Sequence, residues 1–163
     1  MGIPTAALIG SFRRHYLEVL EVHTALTAQG VTVTTPTGGS ILDLRARFVR
    51  FDTDKVGHSD EHVQCLALHR ILRADAVYVV APQGYVGRTT CYEIGRCMQA
   101  GQPLYFSERP ADLPIAVPAS HVVTPSVFAA CILDRTVSPM IPFLDKELAD
   151  YERRLLSGDY DES

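Results

Sequence analysis

Four short apolar runs, separated by segments of helical period, constrain this chain more than any other feature of its sequence. "AALIG" (Ala6–Gly10) is an apolar stretch ended by glycine, as suits a buried strand. "VTVTT" (31–35) is β-branched and closed by Pro36, which predicts a second strand. "AVYVVAP" (76–82) is the most hydrophobic run, so the third strand is expected at the centre of a sheet. "PLYF" (103–106) predicts a fourth. Between them, residues 13–30 place Tyr16, Leu17, Leu20, Val22 and Leu26 at helical spacing and stop at Gly30. "SDEHVQCLALHRILRA" opens on a good N-cap, Ser59, and carries Val63, Leu66, Ile71 and Leu72. "TTCYEIGRCMQAG" predicts a helix ending at Gly101. Strand and helix in alternation imply parallel pairing through right-handed crossovers.

The expected fold is therefore α/β: a single doubly wound, flavodoxin- or Rossmann-like domain. Its mainly parallel sheet has about five strands in the order 2-1-3-4-5, the fifth drawn from "IAV" or "HVV". Residues 41–54 are ambiguous, with a short helix and then an extended piece as the expectation, and "PFLDKELADYERRLL" predicts a C-terminal amphipathic helix. With 163 residues, 47% of them hydrophobic, the chain can fill one core over residues 1–157. The acidic end, 158–163, is expected to be a frayed, disordered tail.

Charge and motif content narrow the function classes. A net charge of −4 and only two lysines, Lys55 and Lys146, among scattered arginines argue against a nucleic-acid polymer or a membrane surface as partner. No apolar run approaches the ~20 residues that span a bilayer, and the first residues lack the design of a secretory signal, so the expected location is cytoplasmic. Cys65, Cys91, Cys97 and Cys131 form no CxxC pair and are expected to be reduced thiols. His62, Cys65 and His69, with His58 nearby, share a helical face. Structural zinc sites usually draw their ligands from separated turns, however, so neither a metal nor any other cofactor is expected.

In a doubly wound sheet, ligands bind past the carboxyl ends of the strands where the strand order reverses, here between the first and third strands. The loops leaving those strands are "GSFRRH" and "PQGYVGRTT". In the first, Gly10 admits close approach of a ligand, while Ser11, Arg13 and Arg14 suit an anion at a helix N-terminus. GxGxxG is absent, so this is not a dinucleotide fingerprint. In the second, Gly84 and Gly87 permit backbone contact, and Arg88, Thr89 and Thr90 can donate to a phosphate. Glu93 stands open between two roles. Thr90-Cys-Tyr-Glu93 fits a capping box, and the same acid falls at the rim of the third strand beneath a Gly-Tyr-x-Gly loop.

"RADAVYVVAPQGYVGRTTCYEIGRCMQAGQPLYF" resembles the signature of the nucleoside 2-deoxyribosyltransferase-like superfamily, which includes 2′-deoxynucleoside 5′-monophosphate N-glycosidases and cytidylate hydrolases. The matching elements are Ala74-Asp75, the loop Gly84 to Thr90, Glu93-Ile94-Gly95 and Gly101-Gln102-Pro103; "ALIGSFRRH" resembles the first-strand loop of the monophosphate hydrolases. The similarity runs over about residues 6 to 106. It implies chemistry at an N-glycosidic bond: Glu93 attacks C1′, the base leaves, and the glycosyl-enzyme passes to water or to another base. Gly10, Ser11, Phe12 and Arg13 would line the sugar or base; Gly87, Arg88, Thr89 and Thr90 would hold the phosphate, and Tyr85 and Tyr92 would border the base. The helix start would keep Glu93 ionised. A homodimer or higher homo-oligomer is implied by the same resemblance.

The chain departs from the family's pattern at three places. Ala67 stands where members carry an aspartate near the sugar, and Gly87 stands where the transferases carry another. The asparagine that transferases borrow from a neighbouring subunit has no counterpart, since the sequence contains none. Hydrolysis of a (deoxy)nucleoside or its 5′-monophosphate is thus expected over transfer, with hydroxyls from Thr89, Thr90, Ser120 or Ser126. The rival expectation is a nucleotide-binding or sensor module without catalysis, which Ala67 favours.

Overall fold

The computed structural model describes residues 2–37, 41–43, 50–51, 57–143 and 145–159. Its centre is a four-stranded parallel sheet of β1 (Thr5–Gly10), β2 (Thr32–Thr35), β5 (Ala76–Val80) and β6 (Leu104–Phe106), in the order β2-β1-β5-β6. The described residues also form the helices α1 (Tyr16–Ala28), α2 (Asp60–Leu72), α3 (Arg88–Gln99), α4 (Pro125–Leu133) and α5 (Lys146–Ser157), the first four of which pack on the sheet. In order of appearance along the chain the sheet reads 2-1-3-4, so the predicted reversal between the first and third of its strands is present.

The strands are legible as continuous apolar runs because both sheet faces are covered. On β5, Val77 and Val79 join Ala7, Ile9, Leu104 and Phe106 on a face packed by Ile71 of α2 and Ile94 and Cys97 of α3. The alternate residues Ala76, Tyr78 and Val80 join Ala6, Leu8 and Tyr105 on the other face, under Val19, Val22 and Leu26 of α1 and Phe128 and Ile132 of α4. Tyr78 is fully buried there, and its hydroxyl donates to the Val123 carbonyl at 2.7 Å, so its phenol is pushed far above its ordinary pKa by burial.

Two expectations need correction. The fifth strand is a single parallel bridge between Phe106 and Val122. Pro118 and Pro125 bracket that segment, and Pro125 already opens α4 behind the N-cap Thr124, which leaves no room for a ladder. In the stretch 41–54, the described residues are a small antiparallel pair, β3 (Ile41–Asp43) with β4 (Arg50–Phe51), rather than a helix; the remainder lies outside the described residues. α5 ends on Gly158, left-handed at φ 76° with its amide on the Leu155 carbonyl, and of the predicted tail 160–163 lie outside the described residues. Among the described residues no helix is long and apolar enough to cross a membrane.

Asp75 closes the N-terminal end of the sheet. Its carboxylate accepts from the Thr5 amide at 2.7 Å and the Thr5 hydroxyl at 2.8 Å, tying β1 to the start of β5. Every ligand-facing feature described below lies at the other end.

Candidate functional site

Past the carboxyl ends of β1 and β5 lies a cavity of about 660 Å³. The first loop gives it Gly10, Ser11, Phe12 and Arg13; the third-strand loop and the start of α3 give it Tyr85, Gly87, Arg88, Thr89 and Thr90. Glu93 and Tyr92 complete that side. Two loops separated by about seventy residues are thus brought to one hollow because their strands pair in register, Gly10 opposite Val80. A methyl group placed on Gly87 would sit 3.6 Å from the Ser11 hydroxyl, ordinary van der Waals distance.

The loops are also tied through Tyr85. The Arg14 guanidinium carbon lies 4.3 Å from the centre of its ring, and the His15 ring is tilted against it at 5.8 Å. His15 in turn places Nδ1 3.2 Å from Glu18, whose carboxyl is held below its ordinary pKa by a backbone hydrogen bond and by His15. From behind, Ser107 accepts from the Ala81 amide at 2.9 Å and Glu108 accepts from the Gln83 amide at 3.0 Å, so the turn at 82–84 is braced by the chain leaving β6.

In the two facing loops Arg14 does not line the cavity, and neither does Gly84. It is buried at φ 74°, and a Cβ there would meet the Arg109 carbonyl oxygen at 2.8 Å. Packing and backbone conformation require this glycine, not ligand approach. Gly84→Ala is expected to cost about 3 kcal/mol, the sum of a left-handed alanine and an overpacked contact, measured by denaturant unfolding. Gly10 faces the cavity, yet its lack of a side chain is likewise demanded by the sheet, since a Cβ would meet the Val80 carbonyl oxygen at 2.7 Å.

The capping-box expectation is overturned. α3 starts at Arg88 behind an extended Gly87, with no side-chain cap, so Glu93 stands in the second turn and reaches back to nothing. The helix-terminal field fades within the first turn, so it does little to keep Glu93 ionised. Burial dominates instead and pushes the Glu93 carboxyl up to about 8. Cys97, one turn further on, is pushed up to about 12 by burial and by the charge of Glu93.

Meanwhile the α3 terminus is left with unspent donors, the first-turn amides of Arg88, Thr89 and Thr90. Nor do the side chains of Ser11, Arg88, Thr89, Thr90 or Glu93 form a hydrogen bond or ion pair with another described residue. A helix start, an arginine and small hydroxyls turned to one hollow are groups able to donate to an oxyanion.

Of the remaining wall, the sequence pointed only to Ala67. Thr35, Pro36 and Thr37 at the end of β2, and Val63, Gln64, Ala67, Arg70 and Ile71 of α2, also line the cavity. A polar residue that faces a hollow has the same sequence signature as one that faces solvent, so only the fold reveals these. Ser120 and Ser126 are not among the lining residues, and Ser126 belongs to α4, which packs on the opposite face of the sheet. Among the described residues no three His, Cys, Asp or Glu side chains gather as metal ligands; His58 and His62 only place their rings 5.5 Å apart.

No family model matches this chain, and no curated protein matches it. A conserved protein of known crystal structure from Enterococcus faecalis V583 is similar to it, at 11% identity and a TM-score of 0.49, over 64% of this chain and 63% of that one.

Proposed function

We propose that this chain hydrolyses the N-glycosidic bond of a (deoxy)nucleoside 5′-monophosphate, with Glu93 as the nucleophile. One observation carries this reading. The Glu93 carboxyl, which bonds to no other described residue, opens onto the same 660 Å³ cavity as a helix start without a side-chain cap, ringed by hydroxyls and arginine. The phosphate sits at the start of α3 against Arg88, Thr89 and Thr90; the sugar lies between Ser11 and Glu93. The carboxylate stabilises an oxocarbenium-like transition state and then bonds to C1′; water releases the sugar phosphate. Since burial keeps the Glu93 proton on to about pH 8, the reactive fraction at neutral pH is the minor one. The proposed setting is cytoplasmic, and the proposed assembly is a homo-oligomer.

Incubation with mixed nucleosides and nucleoside 5′-monophosphates, followed by chromatography for free base, tests the reading. Base is expected from the monophosphates, with a KM for the matching nucleosides higher by about tenfold or more, as expected when charge-assisted hydrogen bonds are lost. Ala67 supports a second reading, a nucleotide-binding module without turnover, because it lines the cavity where the resemblance leads one to expect an acid. Tight binding with no base released over hours would decide for that alternative.

A further inference from the structure

Helix α2 turns one face to the cavity. Val63, Gln64, Ala67, Arg70 and Ile71 recur at the three- and four-residue steps that stack side chains on one side of a helix. Val63 and Ile71 are buried and apolar, and Ala67 is small. Gln64 and Arg70 flank Ala67 at one turn on either side, both half-buried, and neither side chain bonds to another described residue. The start of α3 already holds the groups suited to a phosphate, so α2 meets another part of the ligand.

We infer that α2 is the wall that selects and activates the departing base, and that this base carries ring carbonyls; the inference rests on the N-glycosidase reading. Arg70 offers only donors, in a rigid fork that carbonyl oxygens satisfy and an amino group does not. Gln64 has both a donor and an acceptor, which suits the N–H next to such a carbonyl. When a Glu93 carboxylate oxygen bonds to C1′, the C1′–N bond breaks and its electron pair goes to the base nitrogen. In an oxo base that charge spreads onto the carbonyl oxygens, where the Arg70 guanidinium neutralises it. Water then attacks C1′, the sugar takes the hydroxyl, Glu93 leaves as carboxylate, and the remaining proton goes to the base anion. Ala67 has no proton to give, so a cation does the work of an acid.

Calorimetric titration of the wild type, Arg70→Ala and Arg70→Lys, each carrying Glu93→Gln so that no base is released during the titration, with thymine-, guanine- and adenine-bearing deoxynucleoside 5′-monophosphates reads the selection. The wild type is expected to bind the two oxo bases at least about tenfold more tightly than adenine. Arg70→Ala loses that preference, and Arg70→Lys, with the charge but not the fork, recovers part of it. Far-ultraviolet melts establish that each variant is folded. Equal wild-type affinity for all three bases, or a preference that survives in Arg70→Ala, overturns the inference. A preference that follows Arg70 while the protein with Glu93 intact releases no base leaves it standing as recognition and refutes the glycosidase reading alone; failure of all three nucleotides to bind refutes both.

Discussion

Glu93→Ala is expected to lower base release from a nucleoside 5′-monophosphate by at least about 10³-fold, roughly 4 kcal/mol of barrier. Binding of the same nucleotide should stay within a few-fold. The split follows from where the groups sit. The phosphate donors belong to Arg88, Thr89 and Thr90, which the substitution does not touch, while Glu93 is the only acid among the described residues that line the cavity. Glu93→Gln keeps the shape and removes the nucleophile, so its loss should match. In the wild type, kcat/KM should rise with pH and level off above about 8, because only the carboxylate attacks and burial holds the proton on until there. A variant as active as the wild type, or a profile flat between about pH 5.5 and 9, would refute the nucleophile assignment.

How much of this was legible in the sequence depends on which physics wrote it. β5 reads plainly because a strand covered on both faces has no polar residue to interrupt it, from Ala76 to Val80. The two cavity loops were legible for a topological reason: once strand and helix alternate, the crevice has one place to be, and Ser11 and Thr90 fall beside it. The state of Glu93 was not. Thr-x-x-Glu is a valid capping pattern, but Gly87 takes up the extended conformation of an N-cap and starts the helix three residues earlier, which carries the acid into the second turn, half-buried on the cavity wall. The reach of Gln64 and Arg70 was hidden too, since helical spacing says that residues share a face and not what that face meets. α4 was missed because its helical pattern is apolar nearly all round, with Phe128 and Ile132 buried and Val127 and Leu133 exposed.

The same carboxyl should leave a mark on stability that needs no substrate. An ordinary glutamate near 4.5 that folding raises to about 8 binds a proton in the native state that the unfolded chain has released over that interval. Stability then falls as pH rises, because the native state holds more protons than the unfolded one. The contribution is complete below about pH 4.5, declines across the interval and is gone above about 8. At ~1.36 kcal/mol for each pH unit the ceiling is roughly 5 kcal/mol. The carboxyl oxygens still meet the cavity's water, so about 2 kcal/mol is the expected figure. Glu93→Gln abolishes this dependence. Relative to the wild type it should gain about 2 kcal/mol at pH 9, or about 4–8 °C in Tm for a domain of this size, and gain nothing near pH 4.5. Thermal melts of both proteins at the two pH values make the comparison. If the variant is no more stable than the wild type at pH 9, Glu93 ionises in the native protein without cost. The kinetic limb near pH 8 would then have to come from another group.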